Sequence, residues 1–190
     1  MPLFTFSEIF DIAAMTLVVG YLFTDIFKKP VEEDYEPLTH FKAGFDIENF
    51  KFAILVAAPA IILHEMGHKF AALSFGLEAH FEAAWLFLAL ALIMKLMNFG
   101  FIFIVPAYTS IFGIATPLEE SFIAFAGPGV NLILWIFAWF ALKKNLLPKK
   151  YNIALALTSR INMFLFIFNM LPIPSFDGSK VLLGLVKAFF

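Results

Sequence analysis

The sequence predicts an all-α polytopic membrane protein, a bundle of about five to six transmembrane helices with a short membrane-associated extended segment. Three observations predict it. The 190 residues are 62% hydrophobic with a mean hydropathy of +0.89, more apolar surface than a soluble domain of this size can bury. Several apolar stretches approach the roughly 20 residues that a helix needs to cross a hydrocarbon core about 30 Å thick. The charged residues, only 15% of the chain, collect between those stretches.

A first span runs from Glu8 to Phe27 and stops at Lys28, Lys29 and Pro30. No basic residue precedes it and no small-residue cleavage pattern follows, so it reads as a retained helix. The segment Val31 to Lys51 is polar, acidic and loop-like. A second span, Phe52 to Phe75, carries His64, Glu65, His68 and Lys69 within apolar sequence, with Gly76 placed to cap its end. Ala83 to Met97 is apolar apart from Lys95 and leads into Gly100 to Gly113, rich in β-branched and aromatic residues and broken by Pro106. This reads as an apolar helix returning through an extended segment, either a re-entrant hairpin or a pair of crossings.

Thr116-Pro117 with Glu119 and Glu120 opens a span to Leu142, and Lys143, Lys144, Lys149 and Lys150 flank the next turn. Another span, Tyr151 to Leu171, ends at Pro172 and Pro174. Gly178 to Phe190 is too short to cross and reads as a half-length helix or the stump of a truncated span. The whole reads as one membrane-embedded domain over residues 1–190, with an extra helix and polar loop at 1–51 and a core at 52–183.

The chain has no Cys, which removes disulfides, thiol nucleophiles and Cys zinc sites together, so any metal must rest on His and carboxylate ligands. A net charge of −2, no dense basic patch and 27 Phe residues suit a lipid bilayer and argue against nucleic acid as partner.

The run His64-Glu65-Met66-Gly67-His68 lies in a helical pattern, so the two imidazoles, four residues apart, project from one face and can grip one ion. Zinc suits such a pair: imidazole is a borderline ligand, and catalytic sites take three protein ligands and leave the fourth position to water. Glu65, about 100° further round the helix, stands beside that position as a general base. Ionisable groups this deep in a span cost several kcal/mol unless paired or bound to metal. The third ligand is sought in Asn169-Met-Leu-Pro172-Ile-Pro174-Ser-Phe-Asp177-Gly178, where two prolines end a helix and turn the backbone inward. Asp177 reads there either as that ligand or as the N-cap of a helix beginning at Gly178.

His64-Glu65-x-x-His68 in one span, Ala126-Gly127-Pro128-x-x-Asn131 in a later one, and Asn169-x-x-Pro172 leading to Asp177-Gly178 together resemble the site-2 protease family of intramembrane zinc metalloproteases, peptidase family M50. The resemblance covers roughly residues 52–183. It implies His64, His68 and Asp177 as zinc ligands, Glu65 as catalytic acid/base, Asn131 and Asn169 as polar residues near the site, and Gly127 and Pro128 as the family's glycine-proline pair. It further implies a multi-pass protein of the cell membrane, in a prokaryote, that hydrolyses transmembrane protein or peptide segments. Such a substrate must be unwound locally before attack, and the extended segment 100–113 is a candidate edge for its freed backbone to pair with.

Orientation reads two ways. The family places the metal nearer the cytosolic face, whereas Lys28, Lys29, Lys143, Lys144, Lys149 and Lys150 cluster at the opposite ends of the spans. The competing function is a divalent-metal transporter or channel with His64, His68 and Asp177 as its passage site, which leaves Glu65 without a task.

Overall fold

The structure, a computed structural model, describes residues 3–28, 45–99 and 105–190. In those residues the chain forms α1 (Phe6–Phe23), α2 (Ile47–Ser74), β1 (Glu78–Ala83), α3 (Trp85–Leu96), β2 (Ala107–Phe112), α4 (Pro117–Lys143), α5 (Asn152–Asn169) and α6 (Asp177–Phe189), with a 3-10 turn at Lys149–Tyr151 before α5. Four helices, α1, α2, α4 and α5 with its leading turn, are long and apolar enough to cross a membrane. The protein is thus an all-α polytopic membrane protein, with one small sheet among the described residues.

Local chemistry sets the helix ends. Thr5 and Glu8 form a reciprocal capping box at the start of α1, as Thr116 and Glu119 do for α4, where Pro117 occupies the first turn. The first span is shorter than expected. The regular helix ends at Phe23 and passes into a tighter turn, in which Thr24 N–H donates to the Tyr21 carbonyl and Ile26 N–H to that of Phe23, so Phe27 lies beyond it. The second span starts earlier than expected, at Ile47, because the Asp46 carboxylate accepts from the Glu48 and Asn49 amides at 3.0 Å each. The loop expected at 31–51 therefore ends before Ile47; its residues 31–44 lie outside the described residues. At the far end of α2, Gly76 takes φ +77 while Leu77 N–H donates to Ala72 and Gly76 N–H to Leu73, a glycine-terminated helix stop.

The sheet is antiparallel, with Glu78 opposite Phe112 and Phe81 opposite Thr109. Strand β1 was not among the expected elements, although Glu78-Ala79-His80-Phe81-Glu82-Ala83 alternates polar and apolar and the apolar members are buried. Strand β2 is the later part of the expected extended segment; residues 100–104 of that segment lie outside the described residues. Between the strands α3 has 12 residues, about 18 Å at 1.5 Å per residue, too short to cross by itself. Helix α6 runs for 13 residues, to Phe189.

One edge of the sheet is closed by α1. The N–H of Phe81 donates to Glu8 Oε1 at 2.8 Å and that of Ala83 to Asp11 Oδ2 at 3.1 Å, so the odd-numbered residues of β1 turn their main chain away from β2. Opposed residues in an antiparallel pair share that sense, so Ala107, Thr109 and Ile111 point their N–H and C=O outward on the far edge of β2.

Glu8 is the centre of this packing. Its Oε2 accepts from Thr5 N at 2.8 Å, while Oε1 takes Phe81 N–H and the ammonium of Lys69, which follows His68 on α2. Both side chains of the pair are almost fully buried, with exposures of 3% and 2%. Met15, Val19, Ala57, Met66, Phe81 and Leu88 belong to a buried apolar core that joins α1, α2, the sheet and α3. A buried charge left without its partner costs about 3–5 kcal/mol. Lys69→Met is expected to destabilise the protein on that scale and lower its melting temperature in detergent; an unchanged thermal transition would show that the pair does not hold α1 in place.

Candidate metal centre

The three expected ligands meet. His64 and His68 project from one face of α2, and Asp177 reaches them from the start of α6; their ligand atoms lie within 4.8 Å of one another. The two Nε2 atoms are 3.1 Å apart, and each lies 3.2 Å from Asp177 Oδ2. All three residues are at least nine-tenths buried.

Hydrogen bonds fix which ring nitrogen faces inward. His68 Nδ1 lies 2.8 Å from the Ile123 carbonyl, which can only accept, so Nδ1 carries the proton and Nε2 keeps its lone pair. For His64 the logic passes through two amides. Asn162 Nδ2 donates to the Thr158 carbonyl, which turns Asn162 Oδ1 toward Asn131 Nδ2 at 2.8 Å. Asn131 Nδ2 also donates to the Ala60 carbonyl at 3.0 Å, so Asn131 Oδ1 faces His64 Nδ1 and accepts its proton. Both imidazoles therefore present bare Nε2 lone pairs toward a carboxylate oxygen.

Three acceptors aimed at one point require a cation. Two imidazole nitrogens and a carboxylate oxygen are a donor set of zinc sites, and tetrahedral bonds of about 2.0–2.2 Å place ligand atoms roughly 3.3–3.5 Å apart, close to the observed triangle. The residues fit zinc.

The sequence shapes this site through close backbone approach. A Cβ on Gly127 of α4 would sit 2.3 Å from His68 Nε2 and 2.6 Å from Cε1, so only glycine leaves room for the ring. Gly67, between the two histidines, lies so near α4 that a Cβ there would meet the Ala126 carbonyl oxygen at 2.7 Å. Pro128, fully buried, withholds an N–H from the Ala124 carbonyl, next to the Ile123 carbonyl that holds His68. At the other ligand, Ser175 adopts φ +78 in the turn after Pro174, and a Cβ on Gly178 would strike the Met170 carbonyl oxygen at 2.3 Å. That turn seats α6 against the end of α5 and aims Asp177 at the histidines.

The N-cap alternative for Asp177 does not hold. Helix α6 already includes Asp177, the cap position is Phe176, and no side chain caps it. Asn131 is fully buried in the polar chain just described. Asn169 donates to the Leu165 carbonyl of its own helix at 3.0 Å, and the amide that reaches Asn131 is Asn162, seven residues earlier on α5. Thr109 of β2 was missed altogether: its Oγ1 lies 2.9 Å from Glu65 Oε2 and 3.0 Å from the Glu65 carbonyl oxygen. Only a contact between strand and helix could reveal it.

Because Gly127 makes the space for His68, Gly127→Ala is expected to weaken zinc binding by about tenfold or more. Competition against a chromophoric chelator, with circular dichroism to show that the helices persist, checks this; unchanged affinity would mean that the ring does not need the space.

No family model matches the chain, and no solved structure matches it either. Two curated proteins do. The protein of Methanocaldococcus jannaschii named "Putative zinc metalloprotease MJ0611" is 33% identical over 186 residues, 96% of this chain and 87% of the relative. The Synechocystis protein named "Putative zinc metalloprotease sll0528" is 30% identical over 134 residues, 70% of this chain but 31% of that longer relative. With a zinc-compatible His-His-Asp centre and similarity across nearly its whole length, the chain belongs to this zinc metalloprotease family.

Proposed function

We propose that the protein is an intramembrane metalloprotease of the site-2 protease type, which hydrolyses peptide bonds of transmembrane segments at a zinc ion held by His64, His68 and Asp177. The observation that carries this reading is that two of the three ligands lie within α2, a helix long and apolar enough to span a membrane, with Glu65 between the two histidines in sequence and Asp177 reaching them from α6. A soluble protease has no need to bury its centre in such a helix. The reading places the protein in the cell membrane as a multi-pass protein, with a transmembrane protein or peptide as substrate.

Zinc, when bound, supplies Lewis-acid chemistry that brings the pKa of water from about 15.7 toward 7 and polarises a carbonyl. The chain's own residues do the rest. Glu65 takes the proton from the attacking water and returns it to the leaving amine, the general base and general acid of one cycle. Asn131 holds His64 and the Ile123 carbonyl holds His68, each with Nε2 directed inward. Gly127 and Pro128 belong to the wall that admits the His68 ring, and Asn169 ends α5, from which the chain turns toward Asp177.

The substrate backbone needs partners once it is unwound, because an unpaired amide in hydrocarbon costs several kcal/mol. The outer edge of β2 supplies them in this reading: the opposite edge, on β1, is taken by Glu8 and Asp11, and β2 touches Glu65 through Thr109. Main-chain pairing of this kind holds substrates of varied sequence.

Purified protein in detergent is expected to cut a labelled transmembrane peptide, and Glu65→Gln to lower the rate by about 10²–10⁴-fold while keeping one zinc per chain. If both proteins bind zinc and neither cuts a panel of helical peptides, while zinc crosses vesicles containing the wild type, the centre is a passage site and the protease reading fails.

A further inference from the structure

Thr109 faces α2 from the middle of β2, and its hydroxyl is shared between two acceptors of a single residue, the carboxylate and the carbonyl of Glu65. Among the described residues no other group donates a hydrogen bond to that carboxylate. A base acts only within about 2.6–3.2 Å of the proton it takes, and a misplacement of about 1 Å costs on the order of 10² in rate. A glutamate on a helix reaches its target through three rotatable bonds, so a fixed donor at Oε2 decides where the other oxygen points.

The same residue turns its main-chain N–H and C=O to the outer edge of β2, as its partner Phe81 turns toward Glu8 on the other edge. One residue thus touches the base with its side chain and offers a strand-pairing position with its backbone. We propose that Thr109 is a positioning residue for Glu65: its hydroxyl holds the carboxylate, and its main chain sets the register, so that the substrate peptide paired beside Thr109 is the one presented to the base. This rests on the protease reading above and adds to it the residue that couples substrate docking to the base.

The test compares wild type, Thr109→Val, which keeps the shape and loses the hydroxyl, and Thr109→Ser, which keeps the hydroxyl. Thr109→Val is expected to retain one zinc per chain, to lose about 10–100-fold in kcat and to leave KM within about twofold, and Thr109→Ser to recover most of kcat. In a Glu65→Gln background, where nothing is cut, the labelled peptide is expected to bind equally with Thr or Val at position 109, because the main chain is what pairs. Wild-type kcat in Thr109→Val, a Thr109→Ser variant as slow as Thr109→Val, or loss of zinc from Thr109→Val would each overturn the proposal, the last by making Thr109 a structural residue. Failure of the protease reading itself looks different: the wild type leaves every peptide intact, and Thr109 then has no base to hold.

Discussion

The centre depends on α2 and α4 touching at their backbones. Gly67 and Gly127 face each other's helix where any Cβ would collide with main-chain or ring atoms, and the contact they allow brings the His68 ring against α4. In lipid there is little hydrophobic force to drive helices together, so close packing and interhelical hydrogen bonds must do it. Both are present at the same level: the glycines supply the packing, and the bonds from His68 to Ile123, from His64 to Asn131 and from Asn131 to Ala60 supply the polar links. Separating the two helices would undo the packing, the ring orientations and the ligand triangle together.

The polar network follows from what surrounds it. Each buried amide here ends on a backbone carbonyl, Thr158 for Asn162 and Ala60 for Asn131, and a carbonyl cannot reverse its role as acceptor. Direction is thereby imposed along the chain from α5 through α4 to α2, and it fixes the protonated nitrogen of His64. No buried side-chain polar atom lacks a partner among the described residues, as an environment without water demands.

Much of this was legible in the sequence, and the legible part has a common cause. His64, Glu65 and His68 stand out because charge in an apolar span is expensive, and four-residue spacing puts two imidazoles on one face whatever the rest of the fold does. The helix caps at Thr116 and Gly76 are likewise local signals, carried by a few adjacent residues. What stayed hidden depends on contacts between distant segments. Strand β1 alternates over only six residues and becomes a strand by pairing with β2 and by giving its spare amides to Glu8 and Asp11. Lys69 looked like one more charge on the zinc helix until Glu8, 61 residues away, was found against it. Asp177 was balanced between ligand and cap because both uses look alike in sequence, and only the path of the Pro174-Ser175 turn separates them.

The first helix illustrates how such contacts change a reading. In the sequence it stood apart from the core, joined to it by a polar loop. In the fold its Glu8 and Asp11 occupy the amides that β1 would otherwise expose, while Glu8 also neutralises Lys69 one residue beyond a proposed zinc ligand. An exposed strand edge in or near a bilayer pairs with whatever backbone arrives. With carboxylates on the β1 edge, β2 is, among the described residues, the side of the sheet at which the proposed substrate strand would add, and β2 is the strand whose Thr109 reaches Glu65. A helix with no ligand of its own thus closes one edge of the sheet, and among the described residues the other edge is the one next to the proposed base.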